Sequence, residues 1–131
     1  GMDHPTRILV VDDSKVMRGI IRKMLAVIPG VIVLEARDGK DAWDTLQVES
    51  VDVILSDWNM PRMKGIDLLR LVRADAARRH LPFIMVTAEA QGLNHTEADA
   101  AQVSSYLTKP FTPAALHAAL TPYLSGEPGL S

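Results

Sequence analysis

At 131 residues and 47% hydrophobic content, the chain is long enough to bury one core and too short for two ordinary domains. A net charge of −2, with Lys and Arg scattered among acids, creates no field for a polyanion, so nucleic acid is not expected as a direct partner. Zero cysteines exclude a disulfide framework, a thiolate zinc site and a thiol nucleophile. No apolar run reaches membrane-span length and GMDHPTR lacks a signal peptide's apolar centre, so a cytoplasmic protein without membrane association is predicted.

Five strand-sized apolar runs alternate with segments of helical period. RILVV (7–11) is followed by Met17, Ile20, Ile21, Met24, Leu25 and Ile28, whose steps of three and four describe a helix face packed on a sheet, stopped by Pro29-Gly30. VIVLEA (31–36) precedes a helix marked by Ala42, Trp43 and Leu46, and VDVIL (51–55) precedes one marked by Ile66, Leu69 and Val72. After PFIMV (82–86) comes a polar, alanine-rich helix from about Leu93 to Gln102. SSYLT (104–108) leads to a fifth helix starting at Thr112-Pro113, where threonine can cap and proline suits the first helical position; it should bury Leu116, Leu120 and Tyr123. The alternation implies an α/β domain with a doubly wound, five-stranded parallel sheet and five helices. Residues 1–6 are expected to be a tail, with Gly1 before Met2 a scar of tag removal, 7–124 the domain, and 125–131 a flexible tail or linker stub.

Open parallel sheets bind ligands beyond the carboxyl ends of their strands, so the residues following each run carry the functional information. Asp12 and Asp13 follow the first run, Asp57 the third, Thr87 the fourth and Lys109 the fifth; the second supplies Glu35 and the Arg37-Asp38 turn. Three carboxylates at one edge repel unless cations offset them, and oxygen-only ligands suit a hard ion such as magnesium. Carboxylate, metal, lysine and hydroxyl together would make Asp57 a nucleophile toward phosphorus. Taken alone, an Asp at a strand end is more often a turn former or helix cap, and that reading applies to Asp12 and Asp38; four motifs in register outweigh it for Asp57.

Asp12-Asp13, DWNMP, VTAEA and KPF, in this order and spacing, resemble the receiver domains of two-component response regulators, and especially the free-standing chemotaxis receivers. The likeness covers residues 7–124. It implies a flavodoxin-like sheet of order 2-1-3-4-5, and a protein that catalyses only its own phosphorylation and dephosphorylation. By the same resemblance, Asp57 takes a phosphoryl group from a sensor histidine kinase. Asp13, Asp57 and the backbone carbonyl of Asn59 ligate Mg²⁺ (or Mn²⁺), with Asp12 assisting through water. Thr87 and Lys109 contact the phosphoryl oxygens, and Tyr106 is a switch residue that follows Thr87. Asn59 and Glu89 tune autodephosphorylation, and the small Ala88 leaves the site accessible. Implied partners are the kinase, a phosphatase and a downstream target such as a flagellar motor switch protein, the receiver acting as a monomer or a phosphorylation-dependent dimer.

Two departures stand out. Lys64 replaces the usual acid after Met63, placing a cation near the metal loop, and Gln102-Val103 replaces a Gly-Ala, removing the easy left-handed cap of the fourth helix. Alternative readings are a receiver cut from a larger regulator or hybrid kinase, a phosphorylation-independent binding module, and an aspartyl phosphatase of the haloacid dehalogenase type. The last fits poorly, because Asp57-Trp58-Asn59 lacks that type's second acid. Met17, Met24 and Met85 are expected in the core, Met60 and Met63 beside a loop, and Trp58 in that loop. His4, His80, His95 and His117 show no ligand spacing and are expected to be solvated.

Overall fold

The structure, a computed structural model, describes residues 4–88 and 92–125, with the backbone alone for Leu93. Strands and helices alternate: β1 (Thr6–Val11), α1 (Lys15–Leu25), β2 (Val31–Ala36), α2 (Gly39–Val48), β3 (Val53–Asp57), α3 (Gly65–Ala74), β4 (Phe83–Thr87), α4 (Leu93–Ala100), β5 (Ser105–Thr108) and α5 (Pro113–Leu120), with a closing 3₁₀ turn at Thr121–Tyr123. All pairings are parallel, in the order β2-β1-β3-β4-β5.

Strand alternation divides the core into two. Leu9, Val11, Ile54, Phe83 and Met85 face α2, α3 and α4, where Ala42, Leu46, Ile66, Leu69, Val72 and Ala98 are buried. Ile8, Val10, Val53, Leu55, Ile84 and Val86 face α1 and α5, meeting Ile21, Leu25, Leu116 and Leu120. Each fully buried aliphatic side chain contributes about 1.5–3 kcal/mol, and the three central strands are buried on both faces, as helices on both sides require. At the sheet's amino edge the Thr6 hydroxyl accepts from the Ser125 amide at 2.9 Å, so the two ends of the described chain meet there.

Several boundaries differ from the periodicity. β3 starts at Val53, because Asp52 pairs with β1 through its side chain: its carboxylate accepts from the Arg7 amide while its own amide donates to the Arg7 carbonyl, both at 2.8 Å. The strand then extends to Asp57, which registers with Val86 of β4. α1 ends at Leu25 although Ile28 continues its apolar spacing; Ile28 is buried from a following turn, and Gly30, at φ +75°, reverses the chain. Of the two further α1 methionines, Met17 and Met24 are only partly buried, whereas Met85 and Met60 are core.

α4 ends at Ala100, and Gln102 adopts the left-handed conformation at φ +66° that glycine would take without strain. The Val103 amide donates to the Ala98 carbonyl and the Gln102 amide to the Asp99 carbonyl, both at 3.0 Å, the paired bonds of a Schellman ending. The motif forms despite the missing glycine because it is braced: Arg73 of α3 donates to the Gln102 carbonyl at 2.9 Å, and Val103 packs on the core. Gln102→Gly should therefore stabilise the domain by about 0.5–1 kcal/mol, the relieved left-handed strain less the extra chain entropy of glycine, measured as a rise in the urea midpoint at unchanged slope.

Candidate functional site

The residues that close β1, β3, β4 and β5 meet at the carboxyl edge of the sheet. Asp12 follows Val10 by two, Asp57 follows Leu55, and Lys109 follows Leu107, so the alternation that buries those residues toward α1 and α5 carries the two acids and the lysine to one side. The Lys109 ammonium lies 3.2 Å from Asp57 Oδ1 and 3.9 Å from Asp12 Oδ2. Asp57 Oδ1 also accepts from the Trp58 amide at 2.8 Å, so one carboxylate oxygen is pinned by its own backbone and by the lysine. Lys109 is registered in turn: its amide donates to the Thr87 carbonyl at 2.8 Å, and a cis bond joins it to Pro110.

Asp12 is buried, Asp57 nearly so and Asp13 exposed, and one oxygen from each lies within 4.8 Å of the others. Burial pushes the Asp12 carboxyl up from its ordinary value, and the charges of Asp57 and Asp13 add to this against the opposing Ser14 amide and Lys109. The Ser14 amide donates to Asp12 Oδ1 at 2.8 Å, and Ser14 then caps α1 through the Met17 amide at 3.1 Å, so the turn that starts α1 also aims the acids. Such a cluster of hard oxygen donors, with a span close to that across a six-oxygen shell of about 2.0–2.1 Å bonds, fits a small divalent cation.

The loop carrying Asn59 is held tightly. Gly65 donates to the Trp58 carbonyl at 2.9 Å, and a Cβ on Gly65 would collide with the Asp57 carbonyl, so only glycine lets α3 start this close to the site. The Gly39 amide donates to the Met63 carbonyl at 3.1 Å, tying the loop to α2. Arg62, strained at φ +66°, forks onto Asp38 at 2.7 and 3.1 Å. Asp38 is thus both the cap of α2, accepting from the Asp41 amide, and the loop's anchor; the Arg62 guanidinium holds its carboxyl below the ordinary range. The cap reading of Asp38 is correct, and pattern alone could not have supplied its partner 24 residues away.

Thr87 is buried at the end of β4, Ala88 is exposed beside it, Asn59 is exposed in the loop, and Glu89 lies outside the described residues. Lys64 sits exposed at the cap position of α3 without a side-chain cap bond, where an acid would favour the helix dipole. Trp58 lies in the loop after β3, as expected, with its side chain buried in the core. Tyr106 is half-buried, its hydroxyl 2.6 Å from Asp99 Oδ1 and 2.8 Å from the His95 carbonyl. His95, expected to be solvated, stacks on the Tyr106 ring at 3.8 Å. The i, i+4 spacing of His95 and Asp99 on a helix was the one available signal.

A family model described as the response regulator receiver domain matches residues 8–121. The chain belongs to that family. This receiver is 48% identical over 106 residues to the chemotaxis protein CheY of Pseudomonas aeruginosa, covering 81% of this chain and 86% of that one. It is 44% identical over 110 residues to CheY-3 of Vibrio cholerae, covering 84% and 85%. The fold superposes on the chemotaxis response regulator CheY4 of Vibrio cholerae with a TM-score of 0.84 at 33% identity, covering 92% of this chain and 99% of that one. It also matches the receiver domain of a Pseudomonas aeruginosa sensor histidine kinase, solved with magnesium coordinated in its active-site cleft, at TM-score 0.82 and 31% identity over 91% and 97% of the two chains. Among the described residues, no helix of this receiver is long and apolar enough to cross a membrane.

The two buried acids should respond to neutralisation with opposite signs. The raised Asp12 value means its charge opposes folding at neutral pH; Asp12→Asn, which keeps the acceptor for Ser14, should raise the metal-free Tm by a few degrees, a gain that shrinks on acidification as wild-type Asp12 protonates. The lowered Asp38 value means its charge supports folding above the ordinary carboxylate range. Asp38→Asn should lower the Tm at neutral pH, and the deficit should close as pH falls through the depressed value; thermal melts of both variants from neutral to acid pH check the pair.

Proposed function

We propose that this receiver is a phosphoryl-accepting switch: Asp57 takes a phosphoryl group from a histidine kinase, and the resulting change at β4, α4 and β5 alters binding of a downstream protein. The single observation that supports it most is Asp57 at the end of β3, in contact with Lys109 and clustered with Asp12 and Asp13. With Oδ1 held by the Trp58 amide and Lys109, Oδ2 is the oxygen that attacks phosphorus. An O–P bond forms as the N–P bond of the donor phosphohistidine breaks, and the imidazole leaves with the electron pair.

Asp13, Asp57 and the Asn59 carbonyl would hold Mg²⁺, or Mn²⁺ in its place, with Asp12 acting through water; when bound, the ion neutralises charge on the transferring group's oxygens. Lys109 shifts from Asp57 to a phosphoryl oxygen, already within reach of both acids. Thr87 hydrogen-bonds another oxygen of the group, and Tyr106, next along the same sheet face, follows it. Ala88, exposed and small, leaves the approach open, while Asn59 and Glu89 set how readily water reaches the acyl phosphate.

The named relatives favour a chemotaxis output, for which a flagellar motor switch protein is the matching target and a phosphatase the matching partner for signal termination. A full reversal of the switch, from 1:99 to 99:1, requires about 5.5 kcal/mol of differential stabilisation, within the range of several charge-assisted hydrogen bonds.

Intact mass after incubation with acetyl phosphate and Mg²⁺ tests the acceptor. Wild type should gain one phosphoryl group only when Mg²⁺ is present, Asp57→Asn should gain none, and Lys109→Ala should be strongly impaired. An equal gain in Asp57→Asn would remove Asp57 from its role, and no gain in wild type would favour a phosphorylation-independent binding module.

A further inference from the structure

Tyr106 registers with Met85 of β4, and Thr87 with Thr108. Side chains two apart share a face, so Tyr106 and Thr87 are diagonal neighbours on the side of the sheet covered by α4. On that side the tyrosine is gripped from one helix. Its hydroxyl proton lies between Asp99 Oδ1 and the His95 carbonyl, with the shorter contact to the charged acceptor, and its ring stacks on the His95 imidazole at an interplanar angle of 16°.

The described side chains of α4 are mostly exposed or half-buried. Among its described side chains Ala98 alone is buried, and one cross-helix ion pair, Glu97 with Arg70, is exposed. Its carboxyl end is secured by the Gln102 turn and by Arg73, whose guanidinium also reaches the Ser104 hydroxyl at 3.2 Å. The middle of the helix is attached to β5 through Tyr106.

We propose that Asp99 and His95 are positioning residues for Tyr106: they clamp the tyrosine to α4 in the unphosphorylated receiver, so any movement of Tyr106 must break a charge-assisted hydrogen bond and a ring stack. The clamp deepens the switch reading and rests on it, since it matters only if Tyr106 moves on activation. It sets the resting population: loosening it leaves the acceptor intact and brings the activated arrangement closer. By linkage, a ligand that selects the activated arrangement must then bind more tightly.

Beryllofluoride, a phosphoryl mimic, supplies that ligand, with tryptophan fluorescence as readout and Mg²⁺ affinity measured alongside. Asp99→Ala should tighten apparent beryllofluoride affinity by about tenfold, the scale of one charge-assisted hydrogen bond, with Mg²⁺ affinity unchanged. Asp99→Asn, which keeps a neutral acceptor, should tighten it less, and His95→Ala should move it in the same direction. Tyr106→Phe removes the shared hydroxyl, so adding Asp99→Ala to it should give no further gain, a non-additivity that general loosening of α4 would not produce. Should Asp99→Ala fold poorly, Asp99→Asn combined with Tyr106→Phe makes the same comparison. Equal beryllofluoride affinity in wild type and Asp99→Ala, or additive gains in the double variant, overturns the clamp and leaves the switch reading standing. If beryllofluoride binds but 3-fluorotyrosine at position 106 shows no ¹⁹F shift in wild type or Asp99→Ala, Tyr106 does not move, and both the clamp and its role in the switch fall.

Discussion

The organising constraint is an imbalance of charge at one edge of a parallel sheet. Three carboxylates converge within 4.8 Å, and a single ammonium, that of Lys109, is in direct contact with Asp57. Parallel strands all deliver their carboxyl ends to the same side, so the topology that makes two compact cores also forces these acids together. Burial raises the Asp12 carboxyl and the charges of Asp57 and Asp13 add to it, a cost borne by strands buried on both faces. A site in this condition gains most from a ligand that brings positive charge.

Around that edge, each neighbouring loop is fastened at its base. Ser14 caps α1 just after Asp12 leaves β1, Gly65 admits α3 against the Asp57 carbonyl, and Arg62 with Gly39 ties the intervening loop to α2. The β4–α4–β5 side is different: α4 is held by its carboxyl-terminal turn and by Tyr106, with little apolar burial between.

Most of this frame was legible in the sequence because it depends on short-range rules. Apolar runs of strand length, helical spacing in α1 and α3, the Thr112-Pro113 start of α5, and the acids, threonine and lysine at the strand ends all follow from local pattern. The strand order came from resemblance to a family, and β3 starts at Val53 instead of Val51 because the Asp52 side chain replaces a strand pairing there. What pattern could not show were contacts set by tertiary packing: burial of Trp58, the Arg62 to Asp38 fork, the stack of His95 on Tyr106, and a left-handed Gln102 held by Arg73. In the last three a polar or strained residue is stabilised by a partner distant in sequence, and periodicity carries no trace of such a partner.

The contact between Thr6 and Ser125 places both ends of the described chain at the amino edge of β1, a full strand length, about 20 Å, from the acids. Closing that gap with a few residues and opening the chain at an exposed loop elsewhere would give a circular permutant whose sheet order and acidic edge need not change. For the same reason, Thr6 and Ser125 lie away from the acidic edge. The receiver thus lends itself to insertion into another chain with its acidic edge left uncovered.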